Sequence, residues 1–224
     1  MLQHGKRPRL RKVKLFLLLG MFFARLFTRT MQDYPKELLL KDRTSVIVRP
    51  LIPEDIKFVH KFFSKIPRED LLAYKDDVTK TESLENWFLN PNYEKVVELV
   101  TLKKKEVLAK GTLHTQGLYW PHAAEVKLIV HPKYRGKGIG SYMFNLLLYE
   151  GLKHHFHKII VRYIPDNMSF TKILGHYGFE PETVLNYYVV DESTNEQKDL
   201  VIASYDLQNW ERRFEFYTFI YGNK

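Results

Sequence analysis

Blocks of apolar and polar positions with regular spacing begin at Thr44. Ser45–Arg49 (SVIVR) is a β-branched run of the kind that forms a strand. Pro53-Glu54-Asp55 then opens a helix. A proline suits a first turn whose donors have no partner, and acids suit the positive end of the helix dipole. Ile56, Val59, Phe62 and Phe63 recur on one face of that helix. A second short helical segment is predicted around Glu82–Leu89. Lys95–Thr101 and Glu106–Thr115 read as a hairpin turned through Lys103–Lys105. Ala124–Val130 is apolar enough to predict a strand buried on both faces at the centre of a sheet. Gly140–Leu152 is helical, with Met143, Leu146, Leu147 and Tyr149 as its apolar face, and Lys158–Tyr163 is another buried strand. Asn167–His176 is a short helix ended by Tyr177-Gly178-Phe179. Val184–Val190 and Leu200–Tyr205 are two strands separated by a polar turn. The order βααβββαβαββ predicts an α/β (α+β) domain whose mixed, mostly antiparallel twisted sheet carries helices on both faces.

No internal repeat or Gly/Ser/Pro-rich linker divides this pattern, and 224 residues fit one domain with appendages. Residues 1–30 form a basic and apolar tail, residues 31–206 the domain, and residues 207–224 an aromatic helix or arm. Trp210, Phe214, Phe216, Tyr217 and Phe219 make the arm a candidate homodimer contact. Apolar residues at 45%, aromatics at 14% and charged residues at 27% exclude a disordered or collagen-like chain. The absence of cysteine excludes disulfides, thiolate metal sites and a cysteine nucleophile.

The net charge of +9 resides in the tail, where eight basic residues and no acid precede Thr30. The other 194 residues hold 27 basic and 26 acidic side chains, so the body has no general pull on polyanions and nucleic acid is not expected as a partner. The tail joins the basic run Lys6–Lys14 to ten apolar residues, Leu15–Ala24. That run is too short for a membrane span, and no A-x-A site precedes Arg25. Three readings stand: weak contact with an anionic membrane surface, an export or transit signal, or residues upstream of a mature start at Met21 or Met31.

Chemistry is concentrated in Val130–Gly140 (VHPKYRGKGIG), which joins the central strand to a helix through three glycines. Such a turn lets backbone amides approach a phosphate at the positive end of a helix, with Arg135 and Lys137 adding charge. Its G-x-G-x-G spacing matches neither the P-loop nor the dinucleotide fingerprint. It does resemble the acyl-CoA loop of the GNAT superfamily of N-acetyltransferases, [RQ]-x-x-G-x-[GA], through Arg135, Gly138 and Gly140. The lead-in Val130-His131-Pro132 and the later Asn167 and Gly178-Phe179 extend the resemblance over about Ser45 to Asp206. The start, VRPLIPED at Val48–Asp55, is similar to the GNAT domain of bacterial protein lysine acetyltransferases.

The resemblance implies a GNAT-like fold and acetyl-CoA as co-substrate. It places Leu128 and Val130 along the pantetheine arm, with the Leu128 amide facing the thioester oxygen, where an oriented donor stabilises an oxyanion. It also places the amides of Arg135, Gly136, Lys137, Gly138, Ile139, Gly140 and Ser141 on the diphosphate, and Asn167 beside the cofactor arm. An ammonium acceptor must lose a proton before it attacks, and Glu125 is the candidate base, with His114 as runner-up. Many GNAT enzymes protonate the leaving thiolate with a tyrosine at the position occupied here by Leu174, so two alternatives stand: Tyr177, three residues on, is the candidate substitute, or the thiolate leaves unassisted. Glu69, Asp70, Asp76 and Asp77 flank the expected acceptor side and suit a cationic amine.

No metal is expected, because His154, His155 and His157 end a helix without chelating i, i+4 spacing. The expected activity is transfer of an acetyl group to a primary amine, on a protein lysine or a small molecule, by direct attack with general-base help. A non-catalytic acyl-CoA-binding regulatory module and a membrane-associated interaction protein are the alternatives. Dependence on acetyl-CoA implies a cytoplasmic location.

Overall fold

The computed structural model describes residues 33–74, 77–80, 95–116, 120 and 122–208. The helix expected around Glu82–Leu89, the tail and the arm beyond Gln208 lie outside them.

An edge strand not anticipated from the sequence, β1 (Lys36–Leu39), pairs antiparallel with β2 (Ser45–Pro50). A 3-10 turn at Pro53–Asp55 leads into α1 (Ile56–Phe63). Asp55 explains why the helix starts there. It is buried, accepts two hydrogen bonds from Arg49 (2.6 and 2.8 Å) and takes a third from the Ile52 amide (3.1 Å). The second helix described, α2, is a single turn at Arg68–Leu71.

β3 (Lys95–Lys103) and β4 (Glu106–Thr115) form the expected hairpin, and β5 (Ala123–Val130) pairs antiparallel with β4. α3 (Ile139–Lys153) then carries the chain across to β6 (Lys158–Tyr163), which lies parallel to β5. α4 (Met168–Tyr177) leads to the long pair β7 (Glu180–Asp191) and β8 (Glu196–Asp206). The sheet order is β1-β2-β3-β4-β5-β6-β8-β7, with β5–β6 its one parallel pair.

Both faces are covered. Val59, Phe62 and Phe63 of α1 pack on Val100, Leu102, Val107 and Ile129. On the other face Met143, Phe144, Leu147 and Leu148 of α3 pack on Leu99, Leu113, Val126 and Ile159. Each such side chain contributes about 1.5–3 kcal/mol by leaving water. The expected apolar face of α3 is corrected at one position: Tyr149 is 41% exposed, and Glu150 is buried instead. Glu150 is held by Tyr34 (3.3 Å) and Lys153 (3.5 Å). β7 and β8 run beyond their expected ends because they continue to pair with each other where their side chains are exposed.

Candidate active site

The site lies where β5 and β6 part. They pair only over Ala123–Glu125 and Lys158–Ile160, after which β5 stays with β4 and β6 stays with β8. A V-shaped opening results along Val126–Val130. The His131 amide donates to the Leu108 carbonyl of β4 (2.9 Å). Backbone groups along a strand alternate in direction, so those of Val126, Leu128 and Val130 point away from β4, into the opening. The Val130 carbonyl already accepts there from Arg135 Nε (3.1 Å).

At the wide end of the V, the glycine turn has the backbone expected of an anion cradle. Gly136 (φ +72°) and Gly138 (φ +95°) lie in the left-handed region, and a Cβ at either would meet nothing within 4 Å. Gly138 caps α3, whose first bond runs from the Tyr142 amide to the Gly138 carbonyl (3.1 Å). The amides of Ile139, Gly140 and Ser141 are therefore helix-start donors with no helical carbonyl to serve. This arrangement fits a diphosphate.

The cationic side chains of the turn are engaged elsewhere. Arg135 donates to Asp70 of α2 (2.5 Å), and Lys137 donates to Asp42 in the β1–β2 turn (2.7 Å). The backbone, with side-chain charge held to either side, forms the cradle.

At the narrow end Glu125 is 95% buried. Its Oε2 accepts from Arg162 Nη1 of β6 (2.5 Å) and Gln116 Nε2 (3.4 Å). His114 lies directly opposite it on β4. Between the two ends is a small pocket lined by Glu69, Asp70, Tyr74, Leu128, Tyr163 and Asn167, among others. Burial and the nearby carboxylates of Glu125 and Glu98 push the Tyr74 hydroxyl well above its ordinary value. Lys127 Nζ lies 5.4 Å from the Tyr74 ring. On the same face of the sheet as Lys127 and Glu125, buried Lys110 reaches Thr112 (3.2 Å) and Glu98 (3.4 Å).

α2 crosses the opening as a strap tied at both ends. Asp70 holds Arg135 of the turn, while Arg68 reaches Asp191 (3.6 Å) and Glu192 (2.9 Å) of the β7–β8 hairpin.

The Acetyltransferase (GNAT) family matches residues 58–179, more than half of the chain. The chain belongs to the GNAT family of acetyltransferases. Solved structures with the same fold include yncA of Salmonella typhimurium with its cofactor acetyl-CoA, at 16% identity and TM-score 0.62 over 72% of this chain and 94% of that one. The GNAT domain of S. lividans PAT is 14% identical, with TM-score 0.61 over 77% and 96% of the two chains. A ribosomal-protein-alanine N-acetyltransferase from Brucella melitensis is 18% identical, with TM-score 0.61 over 71% and 98%. No curated protein matches the sequence.

As a GNAT enzyme the protein uses acetyl-CoA as co-substrate, and the glycine turn and open β5 edge are the features that fit it. Asn167 caps α4, accepting from the Phe170 amide (3.1 Å), and lines the pocket. Leu174 is buried in the core. The Tyr177 hydroxyl donates to the Ser141 carbonyl (3.5 Å), in the first turn of α3 beside the glycine turn rather than among the pocket lining. Burial raises its pKa.

Of the four acids expected on the acceptor side, Glu69 and Asp70 line the pocket, Asp77 is bonded within its own turn to Thr79, and Asp76 lies outside the described residues. Among the described residues no His, Asp or Glu cluster is arranged to hold a metal, and no helix is long and apolar enough to cross a membrane. His157 stacks on His122 at 4.7 Å instead.

The sequence reading missed Tyr74, Arg162 and Tyr163. One signal for the last two was available: they end a strand predicted to flank the central one, adjacent in sequence and so on opposite faces.

Proposed function

We propose that this protein acetylates a primary amine by direct attack on the thioester, with the amine entering the pocket beneath Tyr74. The observation that carries this reading is the parting of β5 and β6 immediately after Glu125, which opens the V that runs past that pocket to the glycine turn. When bound, acetyl-CoA supplies the acetyl group as an activated thioester. The amides of Arg135 through Ser141 hold the diphosphate, and the edge groups of Leu128 and Val130 align the arm. The Leu128 amide donates to the thioester oxygen as it becomes an oxyanion.

Glu125 accepts the proton that an ammonium acceptor must lose. Both of its hydrogen bonds among the described residues fall on Oε2, and its partner Arg162 and neighbour Val126 line the pocket. Glu69 supplies a further carboxylate at the pocket for a cationic acceptor. The new C–N bond forms as the C–S bond breaks, and the proton from nitrogen ends on the leaving sulfur. Tyr163, which lines the pocket, is better placed to deliver that proton than Tyr177.

The unit proposed to do this is residues 31–206. Its location is proposed as cytoplasmic, where acetyl-CoA is available. A non-catalytic acyl-CoA-binding module is the second reading, favoured by Leu174 in the core where many GNAT enzymes have a tyrosine.

Calorimetric titration of acetyl-CoA, with Gly138→Glu as control, followed by an amine screen with Glu125→Gln, separates the two. Binding lost in Gly138→Glu and turnover lost in Glu125→Gln is the expected result. Binding without turnover on any amine supports the second reading. No binding by folded protein removes both.

A further inference from the structure

A second cavity of about 600 Å³ lies between α1 and the β3–β4 hairpin, apart from the pocket beneath Tyr74. Lys57, Lys61 and Lys65 line one wall at four-residue spacing along the α1 face and just beyond its end. Lys103, Lys104 and Lys105 of the hairpin turn line the other. All six are exposed, and none is paired with a carboxylate among the described residues. The floor is Phe58, Phe62, Val107 and His131. The cavity's single acid, Glu106, is taken by the Tyr134 hydroxyl (3.0 Å). Burial, reinforced by Lys65, Lys133 and Arg135, lowers the pKa of His131, as a cationic surrounding requires. Six like charges around one groove repel one another, and a matching set of negative charges relieves that cost.

The groove shares a wall with the acceptor pocket. Phe62 contacts His131 in the groove (ring centroids 6.4 Å apart), and its neighbour Phe63 contacts Tyr74 in the pocket (6.1 Å). Along β5 the two are joined by the three steps from Leu128 to His131, about 10 Å of extended chain. We propose that this lysine-lined groove docks an acidic segment of a polypeptide acceptor, with carboxylates about three to six residues from the amine that enters the pocket. A short acidic peptide fits better than a nucleic acid for two reasons. The positive charge is confined to one cavity on a body with nearly equal numbers of acids and bases, and the floor offers apolar contact to side chains. The spacing rests on the acetyltransferase reading of the pocket, whereas the docking itself does not.

The test uses the full chain with CoA and labelled lysine peptides carrying Asp and Glu three to six residues on either side of the lysine, or Asn and Gln at the same positions. Anisotropy is expected to show at least tenfold tighter binding of the acidic peptide. That preference should vanish in Lys61→Glu/Lys104→Glu and shrink in the milder Lys61→Gln/Lys104→Gln. The affinity for acetyl-CoA and the rate on a small uncharged-chain amine should stay unchanged. In transfer assays the preference should appear in KM rather than kcat.

Equal binding of the two peptides overturns the proposal. An equal loss of acetyl-CoA affinity in the charge variants also overturns it, by assigning the groove to the donor. So does selective binding of an oligonucleotide with none of the acidic peptide. If no amine is acetylated but the acidic peptide still binds through the lysines, the acetyltransferase reading fails and the docking site stands.

Discussion

Glu125, the proposed base, is buried and held by Arg162 and Gln116. Arg162 and Gln116 fix its position through Oε2, so Glu125→Gln retains a similar shape while losing the proton acceptor. We expect kcat to fall by about 10²-fold or more, the usual share of a general base, with acetyl-CoA affinity unchanged. Steady-state kinetics with a calorimetric Kd checks this, and a loss confined to Kd would remove the assigned role.

The two tyrosines divide similarly. Tyr163→Phe should lower kcat, whereas Tyr177→Phe, whose hydroxyl already serves the Ser141 carbonyl, should leave it within about threefold. The opposite ranking would restore Tyr177 as the acid. At this scale much was legible: arginine and glycines at fixed spacing mark the turn, because only a residue tolerant of positive φ fits Gly136 and Gly138. The engagement of Arg135 by Asp70 was not legible, since the two are 65 positions apart.

Two elements carry charges whose pH dependence is readable. Asp42 ties the β1–β2 turn to the glycine turn. The hydrogen bond from Lys137, followed by bonds from Thr44, holds its pKa at about 2. A depressed carboxylate contributes stability that is present above its ordinary value near 4 and is lost as pH falls toward the folded value. The melting temperature of wild type should therefore exceed that of Asp42→Asn by a constant margin from pH 7 to 5. That margin should shrink between about pH 4 and 2. A margin unaffected by pH would show that the tie is not ionic.

Glu150 of α3 is the reverse case, with burial outweighing Lys153 and Tyr34 to raise its pKa. The folded state resists ionisation there, so stability declines as pH rises above the ordinary carboxylate value near 4.3. Glu150→Gln keeps an acceptor for Tyr34, so it should melt above wild type at pH 8, with the gap narrowing toward pH 4. An equal gap at both pH values would refute this. Glu150 lies among Leu146, Leu147 and Leu148, so the apolar period of the helix gave no sign of it, whereas the ends of β6 and the β3–β4 turn were readable from β-branched runs and lysine punctuation.

For the whole molecule, the proposed division at about residue 31 carries its own prediction. Protein lacking residues 1–30 should bind acetyl-CoA with the Kd of the full chain and lose any binding to anionic vesicles. Calorimetry and vesicle sedimentation measure the two, and a weakened Kd would place the tail in the donor site.

From the sequence alone came the family, the elements from Ser45 to Phe63 and from Lys95 onward, and the glycine turn, because each is written in short-range signals: strand and helix periods, turn glycines, and a motif within eleven residues. The tertiary structure decided which side chains meet. Glu125 meets Arg162, Asp70 meets Arg135, and α1 meets the β3–β4 hairpin to make the lysine groove. These pairings join residues 37, 65 and about 40 positions apart. Sheet order and the parting of β5 from β6 bring them together, and no local pattern encodes a contact made only when distant segments pack.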